Sequence, residues 1–415
     1  MIALTLSRPP GASLADALVK LGRPGGPLDA RDNLRAGPRE LLDSGGLGSR
    51  NRDHPSCPAG AAFLVQFLAN DLTSRAPALD LDAVYRGGPL QARQLYDPVD
   101  RGKLRVEAGG QFEDLPRAAD QTAILGDPRN DENMILGGLH AAFLLAHNHT
   151  LDIMRARHGR SRGGEDVFLQ AQRIVRWHYQ WLIVHELLPM LVGESMVTSI
   201  LSHGRRLFAP PRACLPPVFE AVVGALGMTM LRPSYRVNDS PFVALLSELR
   251  GGARAAHRFV DWQGFFDFGD RRPLRAKRID THLSTQTLEM HDAVEYLGLA
   301  LPTGQAIARA LRVPVLSEAD LEKLGAYEHG LQRETPLFYY VLKEAEVMED
   351  GLHLGPVGGR ILAEVVLGLL QLDRDSYLMT RPDWRPTLPS RIGRSQFSMV
   401  DLLAFAGVDP ASRAQ

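Results

Sequence analysis

The stretch that most constrains this chain runs from Gly126 to Leu151, GDPRNDENMILGGLHAAFLLAHNHTL. A turn opens it, because Gly126 frees the backbone and Asp127 precedes a proline. Beyond the turn, Leu136, Leu139, Phe143, His147, Leu151 and Met154 recur at three- and four-residue steps, the spacing of one helix face. Asp127 or Asn130 is expected to cap the first amides, with Asp131 and Glu132 at the positive end of the helix dipole. Arg129 is the odd residue, a cation where that dipole disfavours one. A salt bridge to Asp127 or Asp131 explains it; an anionic or polar partner elsewhere is the alternative.

GDxRxxEN followed by a helix reading LHxxFLxxHN resembles the central motif of the animal-type haem peroxidase superfamily, which includes myeloperoxidase and the cyclooxygenases. The resemblance implies a mainly α fold, one large helical domain with little β-structure. It also implies that Arg129 lines the distal side of a haem cavity, polarising peroxide, and that Glu132 approaches the haem rim. A second helix, LQAQRIVRWHYQWLIVHELLPMLVG from Leu169 to Gly193, resembles the family's next segment through its IV…LP…LVG frame. The core helices are expected at about 133–157 and 165–190, each bound uncertain by a few residues.

Charge and hydropathy exclude several partners. With 47 basic and 48 acidic residues in 415, nothing favours nucleic acid or an anionic membrane surface. No apolar run reaches the roughly 18–20 residues needed to span a bilayer. The first residues, MIALTLSRPPGASLADALVKLG, lack a basic region leading into an apolar one, so a cytoplasmic chain of bacterial type is expected. Two cysteines, Cys57 and Cys214, are too few for a disulfide framework. Residues 8–60 are rich in Gly, Pro, Arg and Asp, so 1–57 reads as an irregular arm and 58–415 as the helical body.

The resemblance breaks where the cofactor chemistry would sit. PAGAAFLVQFLANDLTS, from Pro58, resembles the family's PAG-x-x-FLGQF-x-DHDLT. By that resemblance Asn70 occupies the place of the distal histidine, and Ala69 that of an aspartate which esterifies a haem methyl in some members. Asparagine forms hydrogen bonds but does not titrate, so it cannot act as a general acid–base. Asp71, Asp80 and Asp82 resemble the family's calcium loop and offer hard oxygens; calcium and a merely solvated acidic loop are the alternatives. Val218 to Asp239 resembles EFxxAAFRFGHSMVRPSYxxN, with Met228 at the proximal histidine and Ala225 at an arginine three residues earlier. From Leu283, the chain resembles LRNLLRGKALGLPSGQ, with Asp292 at the asparagine and His291 at the arginine.

Other histidines read as core residues. His140 and His147, like His178 and His185, are seven apart, roughly 10 Å of helix rise, too far to share one ion. His185 and Glu186 begin HELLP, which lacks the second histidine of a zinc-peptidase motif.

Asn70, Met228, Asp292, Ala69 and Ala225 all map by the resemblance to one cavity, while LRPSYRVN, ALPTGQAIA and TPLFYYVLKEAE keep the frame. The expectation is a peroxidase-fold protein whose haem site has degenerated. It would be a non-haem enzyme or small-molecule-binding protein, with Arg129 holding a carboxylate or polarising a carbonyl and Asp292 as the base. Stoichiometric haem is not expected. One alternative is a peroxidase- or dioxygenase-like oxidoreductase with haem on Met228 or His291; another is a catalytically silent partner protein.

Overall fold

The computed structural model describes residues 12–42, 50–73, 76–109, 112–158, 164–238, 242–252, 258–327, 330–391, 393 and 396–408. The long helix starts later than the capping residues predict. Asn133 Oδ1 accepts from the amides of Ile135 at 3.1 Å and Leu136 at 2.9 Å, and the helix runs Met134–His158. Asp127 instead caps a separate 3-10 turn, Pro128–Asp131, accepting from the Arg129 amide at 3.0 Å. Pro128 suits the first position of that short turn, where no amide donor is needed.

The second core helix, Gly164–Leu182, passes through a π turn at Ile183–Leu187 before closing as Leu188–Val192. Pro189 accounts for the widened turn. It has no amide donor, and its ring would crowd the carbonyl four residues back in a regular α-helix. These two helices pack together, with the terminal helix Met399–Ala406 on the first of them.

One continuous apolar core links the helices, and a small satellite lies at Leu151, Met154, Val167 and Ala171. Close helix approach depends on glycine at Gly358 and Gly359, where an added methyl would sit 3.1 Å from Val341 and 3.0 Å from the Met196 sulfur. β-structure among the described residues is confined to three two-stranded antiparallel sheets, such as Asp53–Pro58 with Arg275–Lys277. The fold is mainly α.

The first part of the chain is more ordered than an irregular arm. Ala12–Gly22 is a helix, with Ala17, Leu18 and Leu21 buried, and it packs on the short helix Ala293–Leu297. Leu14, Leu18 and Leu21 supply the helical spacing that the surrounding Gly and Pro obscure. Residues 1–11 and 43–49, also covered by that expectation, lie outside the described residues.

Candidate functional site: a cavity between two facing helices

The helices Gly60–Asp71 and Pro217–Thr229 pack against each other. Beside their contact lies a cavity of about 420 Å³, within the ordinary size of a small-molecule site. Gln66, Ala69 and Asn70 line it from the first helix; Phe219, Glu220, Val223, Gly224, Gly227 and Met228 line it from the second. The turn before the long helix adds Arg129 and Glu132, and the segment after Met290 adds His291, Glu295 and Tyr296.

Arg129 is held firmly at the edge. Its Nε and Nη2 donate to the two carboxylate oxygens of Asp127 at 3.0 and 2.8 Å, and Nη2 also reaches the Asn70 carbonyl at 3.1 Å. Asp131 pairs instead with Arg117, at 2.7 Å. Asn70 is buried and donates to Asn130 Oδ1 at 3.0 Å, and Asn130 Nδ2 meets His140 Nδ1 at 3.1 Å. Burial pulls the His140 pKa from 6.5 down to about 4, with Asp127 opposing. The ring is therefore neutral at physiological pH, and its Nδ1 accepts.

His291 and Asp292 part company. Both have extended backbone, φ −124° and ψ 137° for His291 and φ −85° and ψ 92° for Asp292, between the helices Thr285–Met290 and Ala293–Leu297. In extended chain, neighbouring side chains point to opposite sides. His291 lines the cavity, and burial lowers its pKa while Glu132 raises it. Asp292 is exposed, is absent from the cavity wall, and accepts from the Val294 amide at 2.9 Å as the cap of the Ala293–Leu297 helix. This corrects the expectation that Asp292 faces the cavity. Ala225 is likewise fully buried away from the cavity wall, whereas Ala69 lies on it.

The three loop aspartates do not converge. Asp71 is buried and accepts from the amides of Leu81 at 3.3 Å and Ala83 at 3.4 Å. Asp80 accepts from the Asp82 amide at 3.1 Å, and Asp82 pairs with Arg86 at 3.5 Å. Burial, then Asp80, pushes the Asp71 carboxyl well above its usual range; burial, then Asp82, raises Asp80 to about 6. Among the described residues no three His, Cys, Asp or Glu side chains are arranged to hold a metal ion. Of the two alternatives for Asp71, Asp80 and Asp82, calcium thus finds no three-residue ligand group among the described residues.

The histidines far from the cavity have partners of their own. His147 lies between the Tyr85 hydroxyl at 3.2 Å and the Gly102 carbonyl at 3.0 Å. His178 Nε2 accepts from the amides of Thr387 and Leu388 at 2.9 and 3.0 Å. His185 meets the Tyr377 hydroxyl at 3.1 Å.

Among the cavity residues not singled out from sequence are Gln66, Glu220, Gly224, Glu295 and Tyr296. Some signals existed. Gln66 is one helical turn before Asn70, and Gly224 is four residues before Met228. Glu220 is the lone charge in an apolar helix. For Glu295 and Tyr296 no local signal existed, because the break before the Ala293–Leu297 helix sets which of its residues border the cavity.

Neither Asn70 nor Met228, both on the cavity wall, carries an imidazole, the group that the resemblance puts at those two places. Gln66 Nε2 reaches the Gly227 carbonyl at 3.4 Å, joining the two facing helices beside those positions. A flat macrocycle placed there would have to break that contact. The Tyr296 ring also occupies the space above Gly224, so closely that a methyl on Gly224 would overlap it. Haem carries two carboxylates, yet the described wall offers Glu132, Glu220 and Glu295 against a single guanidinium already paired with Asp127.

Residues 49–247 match the family model described as Animal haem peroxidase. No curated protein matches the chain. Among solved structures, peroxidase A from Dictyostelium discoideum is similar with a TM-score of 0.58 and 15% identity, over 80% of this chain and 70% of that one. Fatty acid alpha-dioxygenase from Arabidopsis thaliana gives 0.56 and 13%, over 80% and 69% of the two chains. The Oryza sativa fatty acid alpha-dioxygenase gives 0.57 and 13%, over 90% and 76%. At such identities the likeness is one of fold.

Proposed function

We propose that the chain, which matches the Animal haem peroxidase family model over residues 49–247, is a non-haem small-molecule-binding protein or enzyme using the former haem cavity. The observation that carries this reading is that Asn70 and Met228, neither of them an imidazole, both line the one cavity. In this reading Arg129 orients a polar group of the ligand. Its Nε and Nη2 are committed to Asp127 and Asn70, which leaves Nη1 for the cavity. His291, whose pKa burial lowers, serves in this reading as a proton acceptor there. A fold of this kind carries many chemistries, so the reading rests on the site and not on the scaffold.

The test is absorption spectroscopy of the purified, haem-supplemented protein. The expected result is no stoichiometric Soret band and negligible peroxidase turnover with guaiacol. Restoring Asn70→His and Met228→His together is expected to raise haem uptake. The second reading, haem with altered ligation, draws on Met228 and His291 both lining the cavity. Tight, full-occupancy haem in the wild-type protein would put that reading first.

A further inference from the structure

We infer that the cavity takes a small organic ammonium ion in preference to an anion, an inference that rests on the non-haem reading above. Three of the described lining residues, Glu132, Glu220 and Glu295, are carboxylates, and Arg129 is the one permanent cation among them. Asp127 already meets the Arg129 charge with two hydrogen bonds, at 3.0 and 2.8 Å. None of the three glutamates makes a salt bridge among the described residues. Like charges gathered at one mouth favour a cation entering between them and disfavour an anion.

The interior of the cavity points the same way independently. Asn70 is only 8% exposed, and its amide nitrogen is committed to Asn130 Oδ1 at 3.0 Å. Asn130 is oriented in turn by the neutral His140 ring, 3.1 Å from its Nδ2. That relay turns the Asn70 amide so that its Oδ1 accepts from no protein donor among the described residues. Gln66, on the same wall, keeps a buried Oε1 with no hydrogen-bond partner among the described residues, and such an acceptor is satisfied by a ligand that donates, as an ammonium N–H does.

Tyr296 completes the recognition chemistry. Its ring stacks on Phe338 with centroids 5.7 Å apart and planes 15° apart, which fixes it at the cavity wall. Burial raises the Tyr296 pKa first; Glu295 and Glu220 add to the effect, and Arg129 opposes it. These charges therefore act on one hydroxyl. An aromatic ring ringed by carboxylates is a favourable setting for an organic cation.

Calorimetry on haem-free protein tests this with tyramine against 3-(4-hydroxyphenyl)propanoate, which replaces the ammonium group with a carboxylate on a similar phenol. Tyramine is expected to bind at millimolar concentration or below, more weakly as salt rises, and the propanoate is not. Glu220→Gln and Glu295→Gln are expected to weaken tyramine by about threefold each and roughly tenfold together, the scale of exposed charge pairs. Both positions are exposed, so folding is preserved. Equal or tighter binding of the propanoate, absence of tyramine binding, or an unchanged affinity in the double variant overturns the inference. Stoichiometric haem in the same preparation sinks the underlying reading instead, whereas a haem-free protein that prefers the propanoate sinks the inference alone.

Discussion

At the scale of single residues, Arg129 and Asp292 show how a motif position and a role come apart. The Arg129 cation, misplaced by the dipole argument, is held by Asp127, one of the two partners that its spacing offered. Its side chain is 46% exposed, so Arg129→Ala is expected to lower unfolding free energy by no more than about 1 kcal/mol. Affinity for a ligand whose carbonyl or hydroxyl accepts from Arg129 should fall much further, and calorimetry beside urea denaturation separates the two. Asp292 is expected to behave in the opposite way. As a helix cap, its replacement by alanine costs about 1 kcal/mol, while asparagine, an equally good cap, costs little. Neither substitution at Asp292 is expected to change ligand affinity. Loss of binding in Asp292→Asn with stability intact would restore it to the cavity.

At the scale of elements, the helix Pro217–Thr229 carries two glycines with opposite surroundings. A methyl at Gly224 overlaps the Tyr296 ring, whereas one at Gly227 meets only Gln66 Cγ at 3.8 Å. Alanine gains about 1 kcal/mol over glycine in a helix interior, but overpacking costs about 1–3 kcal/mol. Gly227→Ala is therefore expected to raise the melting temperature. Gly224→Ala is expected to lower it or leave it level, and to displace Tyr296 and weaken cavity binding. A Gly224→Ala protein with a higher melting temperature and unchanged binding would show that the ring yields freely. The helices themselves were legible from apolar spacing, including the 134–158 helix to within a residue or two. Their caps and the π turn were not, because these depend on which carbonyls and amides the neighbouring segments leave open.

At the scale of the whole molecule, the buried titratable groups set the pH response. Glu344 accepts from the amides of Val357 and Gly358, and burial still raises its pKa from 4.5 to about 8. Burial raises Glu186 from 4.5 to about 7. A carboxyl raised in the folded state binds its proton more tightly there than when unfolded. Its stabilising effect is full below 4.5 and is lost as pH climbs through the folded value. The buried histidines, such as His140 and His147, are lowered from 6.5 to about 4, so they oppose folding only as pH falls below 6.5. Between pH 6.5 and 8 only the carboxyl effect remains of these two. Unfolding free energy is expected to decline across that window in urea titrations, and Glu344→Gln is expected to flatten much of the decline. A wild-type stability that rises across it would contradict the assignment.

The sequence by itself determined the likeness to the animal haem peroxidase family, the mainly α class and the placing of Asn70 and Met228 at one cavity. Those depend on periodicities and motifs written in contiguous residues. Tertiary structure alone decided which charges meet in the cavity. The inward turn of His291 and the outward turn of Asp292 follow from a two-residue stretch of extended backbone between short helices. The Gln66–Gly227 contact joins residues 161 apart in the chain. Local propensity carries no information about such a pairing, because the packing of two buried helices brings it about.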